Sequence, residues 1–149
     1  MLDRLKSLFE KSASSDEHSD VDPLPLSLAA LMIEAAKADQ VQTQQETALI
    51  KKYLLDGLGL EETAADPLLI AAAKAQEDAV DLHQFTKHVK TLSADEKGEF
   101  IEMLWKVILS DDDRDPYEDA VIRRIASLIY VSDLDSGAAR QRAEAALKS

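Results

Sequence analysis

The sequence predicts an all-α protein, a single domain of about seven helices that includes two pseudo-repeated helical hairpins. No run alternates apolar and polar residues between hairpin turns, so strands have no signal in the 149 residues. Apolar residues recur instead at spacings of three and four, the period of a helix with one buried face. The most specific observation is internal: the stretch 28–53 recurs at 100–125, 72 positions later. The register pairs Leu28 with Phe100, Leu31 with Met103, Met32 with Leu104, Ala35 with Val107 and Ile50 with Ile122. It also pairs Asp39 with Asp111, Glu46 with Glu118, Ala48 with Ala120, and the basic steps Lys51-Lys52 and Arg123-Arg124 with each other. Two hairpins built alike, each with an Asp and a Glu across its bend, are the sequence mark of pseudo-symmetry.

The elements follow in order. Residues 1–11 set Leu2, Leu5, Leu8 and Phe9 at helical spacing among Arg4, Lys6 and Lys11, a short amphipathic segment. About three turns are marginal for an isolated helix, so docking on the main body or fraying is expected ahead of contact with a membrane surface. Residues 12–22 are polar and acidic with nothing to bury, which reads as a flexible linker. The chain therefore divides into a leading segment and linker over 1–22 and a helical domain over 23–149. Asp22-Pro23 and Pro25 open the first helix of the domain, whose apolar residues from Leu26 to Ala36 spread round it as in a buried central helix. Thr43 with Glu46 forms a capping box, so the next helix begins near Gln44 and stops at Gly57-Leu58-Gly59. Asp66-Pro67 predicts an alanine-rich helix from about Pro67, with room for one extra turn before it. Leu82, Phe85 and Val89 mark another helix in 81–92, and Ser93 with Glu96 is a second capping box ahead of the stripe Phe100, Met103, Leu104, Val107 and Ile108. Asp115-Pro116-Tyr117-Glu118 starts a helix with the stripe Ile122, Ile125, Leu128 and Ile129, and Ser132 to Asp135 cap a last one ending near Leu147.

A chain of this length with 46% hydrophobic residues can bury about two thirds of its unfolded surface, which suffices for an independent core. The absence of cysteine excludes disulfides, thiolate zinc sites and a thiol nucleophile. His18 lies in the linker, and the spacing of His83 and His88 keeps them off one helical face, so both read as surface or boundary residues. A net charge of -12 repels nucleic acid, anionic lipid and free oxyanions. No segment reaches the roughly 20 apolar residues that span a bilayer, and a cytoplasmic protein is expected.

The acidic bends carry the chemistry. Asp111, Asp112, Asp113, Asp115, Glu118 and Asp119 are offset by Arg114 alone, a net -5 in nine residues. Crowded carboxylates disfavour one another's ionised forms, and a hard divalent cation relieves this without a rigid cage, so weak binding of calcium or magnesium is expected. Helix capping explains Glu46, Glu118 and Asp115 equally well. Asp39 and Asp111 resist that account, since each falls where a helix ends and the macrodipole disfavours negative charge by about 0.3–1 kcal/mol. A bound cation, amides at the mouth of the partner helix, or Arg114 in the second copy could compensate. An EF-hand does not fit, because Pro116 stands where its loop needs glycine and Ile122 where it needs a bidentate glutamate. There is no phosphate-binding glycine loop, nucleophile elbow or His-Glu-x-x-His pair, and no enzymatic activity is expected.

Ala38-Asp39 with Glu46 and Ala48-Leu49-Ile50, and later Ser110-Asp111 with Pro116-Tyr117-Glu118-Asp119 and Ile122-Arg123-Arg124-Ile125-Ala126, resemble the TerB-like tellurite-resistance family. The similarity runs over roughly 24–147 and is greatest to small stand-alone bacterial members. It implies a compact all-helical fold of paired hairpins, metal-binding acidic residues at the bends, and association with stress-response or membrane-linked complexes. A related module fronts a membrane-anchored DnaJ-like co-chaperone. Carried over, the proposed ligands are Asp39 and Glu46 in the first copy and Asp111 and Glu118 in the second. Asp113 and Asp115 join them as acidic neighbours. Gln40 and Asp112 stand where the family usually has glycine, which makes the more acidic second bend the better candidate.

Two functions follow as expectations. One is a non-enzymatic domain that weakly binds a divalent cation at these bends and works through a protein partner in tellurite resistance or stress response. The other is a protein-interaction module, co-chaperone-like or an adaptor of a membrane complex, with no metal site.

Overall fold

A helix that is apolar on every side is stable only when other elements surround it. The helix that opens the domain, α1 (Pro23–Ala36), is of this kind, and Leu28, Ala29, Ala30, Leu31 and Met32 are wholly buried. The computed structural model describes residues 23–36, 44–109 and 116–148. Six further helices follow: α2 (Gln44–Leu58), α3 (Glu62–Asp78), α4 (His83–Val89), α5 (Ala94–Leu109), α6 (Pro116–Leu128) and α7 (Asp133–Lys148). Among the described residues there is no strand, so the fold is the expected all-helical one. The segment and linker expected over 1–22 lie outside the described residues, as does the cap at Thr43.

α1 packs chiefly against α3 and α4 and also touches α2, α5 and α6, whereas α5 packs chiefly against α7. Each hairpin of the repeat, α1 with α2 and α5 with α6, thus has its first helix covered by a further helix outside the repeat. The register holds in three dimensions. Leu28, Leu31, Met32, Ala35 and Ile50 are buried, and so are their equivalents Phe100, Met103, Leu104, Val107 and Ile122. α2 and α6 begin at Gln44 and Pro116, themselves 72 apart.

The helix ends follow their local chemistry. The Ser93 amide donates to Glu96 Oε1 at 2.8 Å and the Glu96 amide to Ser93 Oγ at 3.2 Å, the reciprocal capping box. The Asp135 amide donates to Ser132 Oγ at 3.1 Å, and the His83 amide to Asp81 Oδ1 at 2.9 Å. α2 stops at Gly59, whose φ of 70° only glycine adopts freely and whose amide reaches the Leu55 carbonyl at 3.1 Å. α6 ends differently. The Tyr130 amide donates to the Ser127 carbonyl and the Val131 amide to the Ala126 carbonyl, a Schellman closure with Tyr130 at the left-handed position, φ 65°. Glycine is usual there, and a residue with a Cβ gives up about 1–2 kcal/mol.

One boundary differs from the sequence reading. α3 starts at Glu62, so the extra turn before Pro67 is present and the proline lies inside the helix. Pro67, at the sixth position of the helix, removes the bond its amide would make to the Thr63 carbonyl and crowds that carbonyl. Asp66 does not act as a cap: it sits 3.0 Å from Lys51 Nζ, with Glu62 at 3.4 Å, so an ion pair to α2 holds the early turn.

Two outcomes test this packing in urea titrations. Leu31→Ala is expected to cost about 2–5 kcal/mol of unfolding free energy, whereas Ile70→Ala, at a site 73% exposed, should stay within roughly 0.5 kcal/mol. Asp66, and secondarily Glu62, hold the Lys51 ammonium above its ordinary 10.5 despite partial desolvation. The folded state therefore binds this proton more tightly, and the pair's contribution is complete below 10.5 and lost as pH rises through the raised folded value. Lys51→Met should show a shallower alkaline fall in stability than the parent protein, and added salt should narrow the gap.

Candidate functional site

The repeat brings the two acidic bends to equivalent places, between α1 and α2 and between α5 and α6. Glu46 and Glu118 each hold the third helical position of their helix, because α2 begins at Gln44 and α6 at Pro116. Their side chains are not among those described. Asp39, Asp111, Asp113 and Asp115 lie outside the described residues, three past the end of α1 in the first case and two past α5 in the second. Among the described residues no group of three or more acidic or histidine side chains is arranged to hold a metal ion. His83 is exposed and His88 half-buried, in the boundary places expected of them.

The carboxylate next to Glu118 has a definite role. Asp119 Oδ2 lies 3.6 Å from Arg140 Nη1 on α7. Arg140 also pairs with Glu144 at 3.2 Å and lies 4.9 Å from the centroid of the Trp105 ring. Trp105, buried on α5, donates through Nε1 to Ser136 Oγ at 3.3 Å. One guanidinium thus ties the first turn of α6 to α5 and α7, which sets where the acidic bend begins. Asp119 belongs to this tie, so at least one of the six clustered carboxylates turns towards α7.

A second group of charges was not legible as such. Glu102, 2% exposed on α5, accepts from Arg142 Nε at 2.8 Å. Its Oε2 faces Lys106 Nζ at 3.2 Å, an ion pair by distance whose angles fall outside hydrogen-bond geometry. The sequence shows only that Glu102 is a lone charge in the apolar run Phe100 to Trp105; the structure buries the whole run, and a charge inside it has to be paired. On the opposite side, Gln76 Nε2 donates to Glu34 Oε2 at 2.6 Å, joining α3 to α1. Arg124 lines the shallow cavity there with Glu34, Gln76, Glu77 and Asp81.

The helical repeat with its paired bends defines a class of small all-α domains. The family model described as Tellurite resistance protein TerB matches residues 25–141, and the chain belongs to that family. No curated protein and no solved structure matches.

The chain's single tryptophan reports on the Arg140 tie. Arg140→Ala is expected to lower stability by about 1–2 kcal/mol through loss of the stacked cation and of one partner of Asp119. The fluorescence of Trp105 should change in the folded state; an emission spectrum identical to that of the parent would contradict the contact.

Proposed function

We propose that this TerB-family domain is not an enzyme and weakly holds a divalent cation at one or both acidic bends, acting through a protein partner in tellurite resistance or a related stress response. The observation that carries the reading is the equivalence of the bends. Two glutamates open α2 and α6 at the same helical position, 72 residues apart, on a scaffold whose flanking core positions are buried in matched pairs. The donors would be Asp39 and Glu46 in the first bend and Asp111, Asp113, Asp115 and Glu118 in the second. All are carboxylates, which suit a hard cation such as calcium or magnesium and not a metal that needs thiolate or imidazole. The net charge of -12 favours a cationic guest and a partner with basic surface, and disfavours nucleic acid. The expected compartment is the cytoplasm; no described helix is long and apolar enough to cross a membrane.

The second reading is an interaction module without metal. Tyr130 and Leu134, 76% and 83% exposed and close in sequence at the corner between α6 and α7, favour it, since exposed apolar side chains mark contact surfaces where they join into one patch.

Calcium titrated into the isotope-labelled full chain separates the two. Amides near 39–46 and 111–118 should shift, with a dissociation constant on the order of 10⁻⁴–10⁻³ M, as for weak calcium modules. The shifts at the second bend should vanish in Asp111→Asn/Glu118→Gln. No response at millimolar calcium would leave the interaction module alone.

A further inference from the structure

A chain of net charge -12 carries a surface strip of the opposite sign. Neither 82–94 nor 120–132 contains an Asp or a Glu, although 29 acids are spread through the 149 residues. The fold sets these two runs side by side. α4 lies against α6, Arg124 lines the shallow cavity at Asp81 and Leu82 where α4 begins, and Tyr130 meets Lys90 where α4 ends. The two helices therefore run in the same direction. Helical spacing puts His83, Lys87 and Lys90 on one face of α4, and Arg123 and Ser127 on one face of α6, with Tyr130 just past its end. Lys97 joins them from α5, 5.9 Å from the centroid of the Tyr130 ring, with Lys90 at 5.1 Å.

Two observations separate this strip from an ordinary solvated face. Among the described residues Lys87, Lys90, Lys97, Arg123 and Arg124 form no ion pair, whereas Lys51, Lys106, Arg140 and Arg142 each hold a carboxylate. Cations in so acidic a chain keep their charge available only where the acids are held away. The second observation is Tyr130 itself. Its left-handed backbone is a place for glycine, yet the residue is a tyrosine, 76% exposed, whose ring adds little to the core. An unfavourable backbone state kept for such a side chain points to a contact made by that side chain.

The borders of the strip select the kind of partner. The two runs end at Asp81 and Asp95 and at Asp119 and Asp133, so the positive surface is narrow and rimmed by acids. A membrane or a nucleic acid duplex is an extended anionic surface that would meet the rim and the net charge together. A short acidic segment meets the cations alone, since charges beyond about 8–10 Å are screened at physiological salt. The Tyr130 ring, between Lys90 and Lys97, offers that segment an apolar contact.

We propose that this strip binds an acidic peptide segment of a protein partner, its carboxylates on Lys87, Lys90, Lys97, Arg123 and Arg124 and an apolar side chain on Tyr130. The inference goes beyond the cation reading and does not depend on it.

Peptide titrations of the isotope-labelled full chain, free of divalent ion, test this. The probe is a synthetic peptide of glutamates with a leucine and a phenylalanine at its centre. It should shift the amides of Lys87, Lys90, Lys97, Arg123 and Tyr130 saturably, and less tightly as salt is added. The same peptide with glutamine in place of glutamate should not. Lys87→Glu/Arg123→Glu, at two exposed sites, should weaken binding about tenfold. Tyr130→Gly relieves the left-handed backbone and removes the ring, so thermal stability should hold or rise while affinity falls. No shift at the strip, equal shifts from the glutamine peptide, or parent affinity in either variant would overturn the proposal. So would shifts here produced by phosphatidylserine vesicles or duplex DNA and not by the peptide. These amides lie apart from the bends that calcium would report on, so either reading can fail alone.

Discussion

The burial of α1 is the constraint from which the arrangement of the other helices follows. An apolar face on one side asks for one neighbour; apolar residues all round ask for a ring of them. α3, α4, α5, α2 and α6 supply that ring, and Glu34 on α1 is tied to Gln76 of α3. Because α1 is central, its repeat partner α5 cannot be central too. The duplicated hairpins therefore end in unlike settings, and α5 packs chiefly against α7, where Glu102 and Trp105 find partners.

Charge is managed locally. A chain with net charge -12 loses stability through self-repulsion unless some of its carboxylates are neutralised. Three cations do this across helix boundaries: Arg142 to Glu102, Arg140 to Asp119 and Lys51 to Asp66. The first joins α7 to α5, the second α7 to α6, and the third α2 to α3. Arg142, itself 42% exposed, contributes mainly by sparing the buried Glu102 carboxylate from standing as an isolated charge, since taking that carboxylate out of water offsets much of the Coulomb gain. The partly exposed pairs are weaker and sensitive to salt. Arg140 also lends its hydrophobic guanidinium face to Trp105, so its role includes packing as well as charge.

Family membership and the proposed chemistry rest on different parts of the chain. The family match spans 25–141 and agrees with the helical order from α1 to most of α7. The cation reading depends on carboxylates at two bends that the repeat makes equivalent. The basic strip at Tyr130 is independent of both, ending where α6 is closed by a residue that its turn does not favour.

Much of the architecture was legible because it is written at short range. Capping boxes span three residues, helical stripes repeat within two turns, and the 72-residue register is a comparison of the chain with itself. Hence the all-helical class, the cap at Ser93, the stop at Gly59 and the matched core positions could be read from residue types alone. The candidate ligands Asp39, Glu46, Asp111, Asp113, Asp115 and Glu118 were also read in this way, as carboxylates at bends, and the helix starts at Gln44 and Pro116 agree with the third helical position read for the two glutamates. What tertiary structure decided lies at long range. Asp66 and Glu62 meet Lys51 of α2, Arg142 reaches the buried Glu102 from 40 residues away, and Asp119 meets Arg140 of α7. None of these leaves a trace in local periodicity. A charge-charge contact stabilises by proximity in space, and proximity between distant residues exists only once the helices have packed.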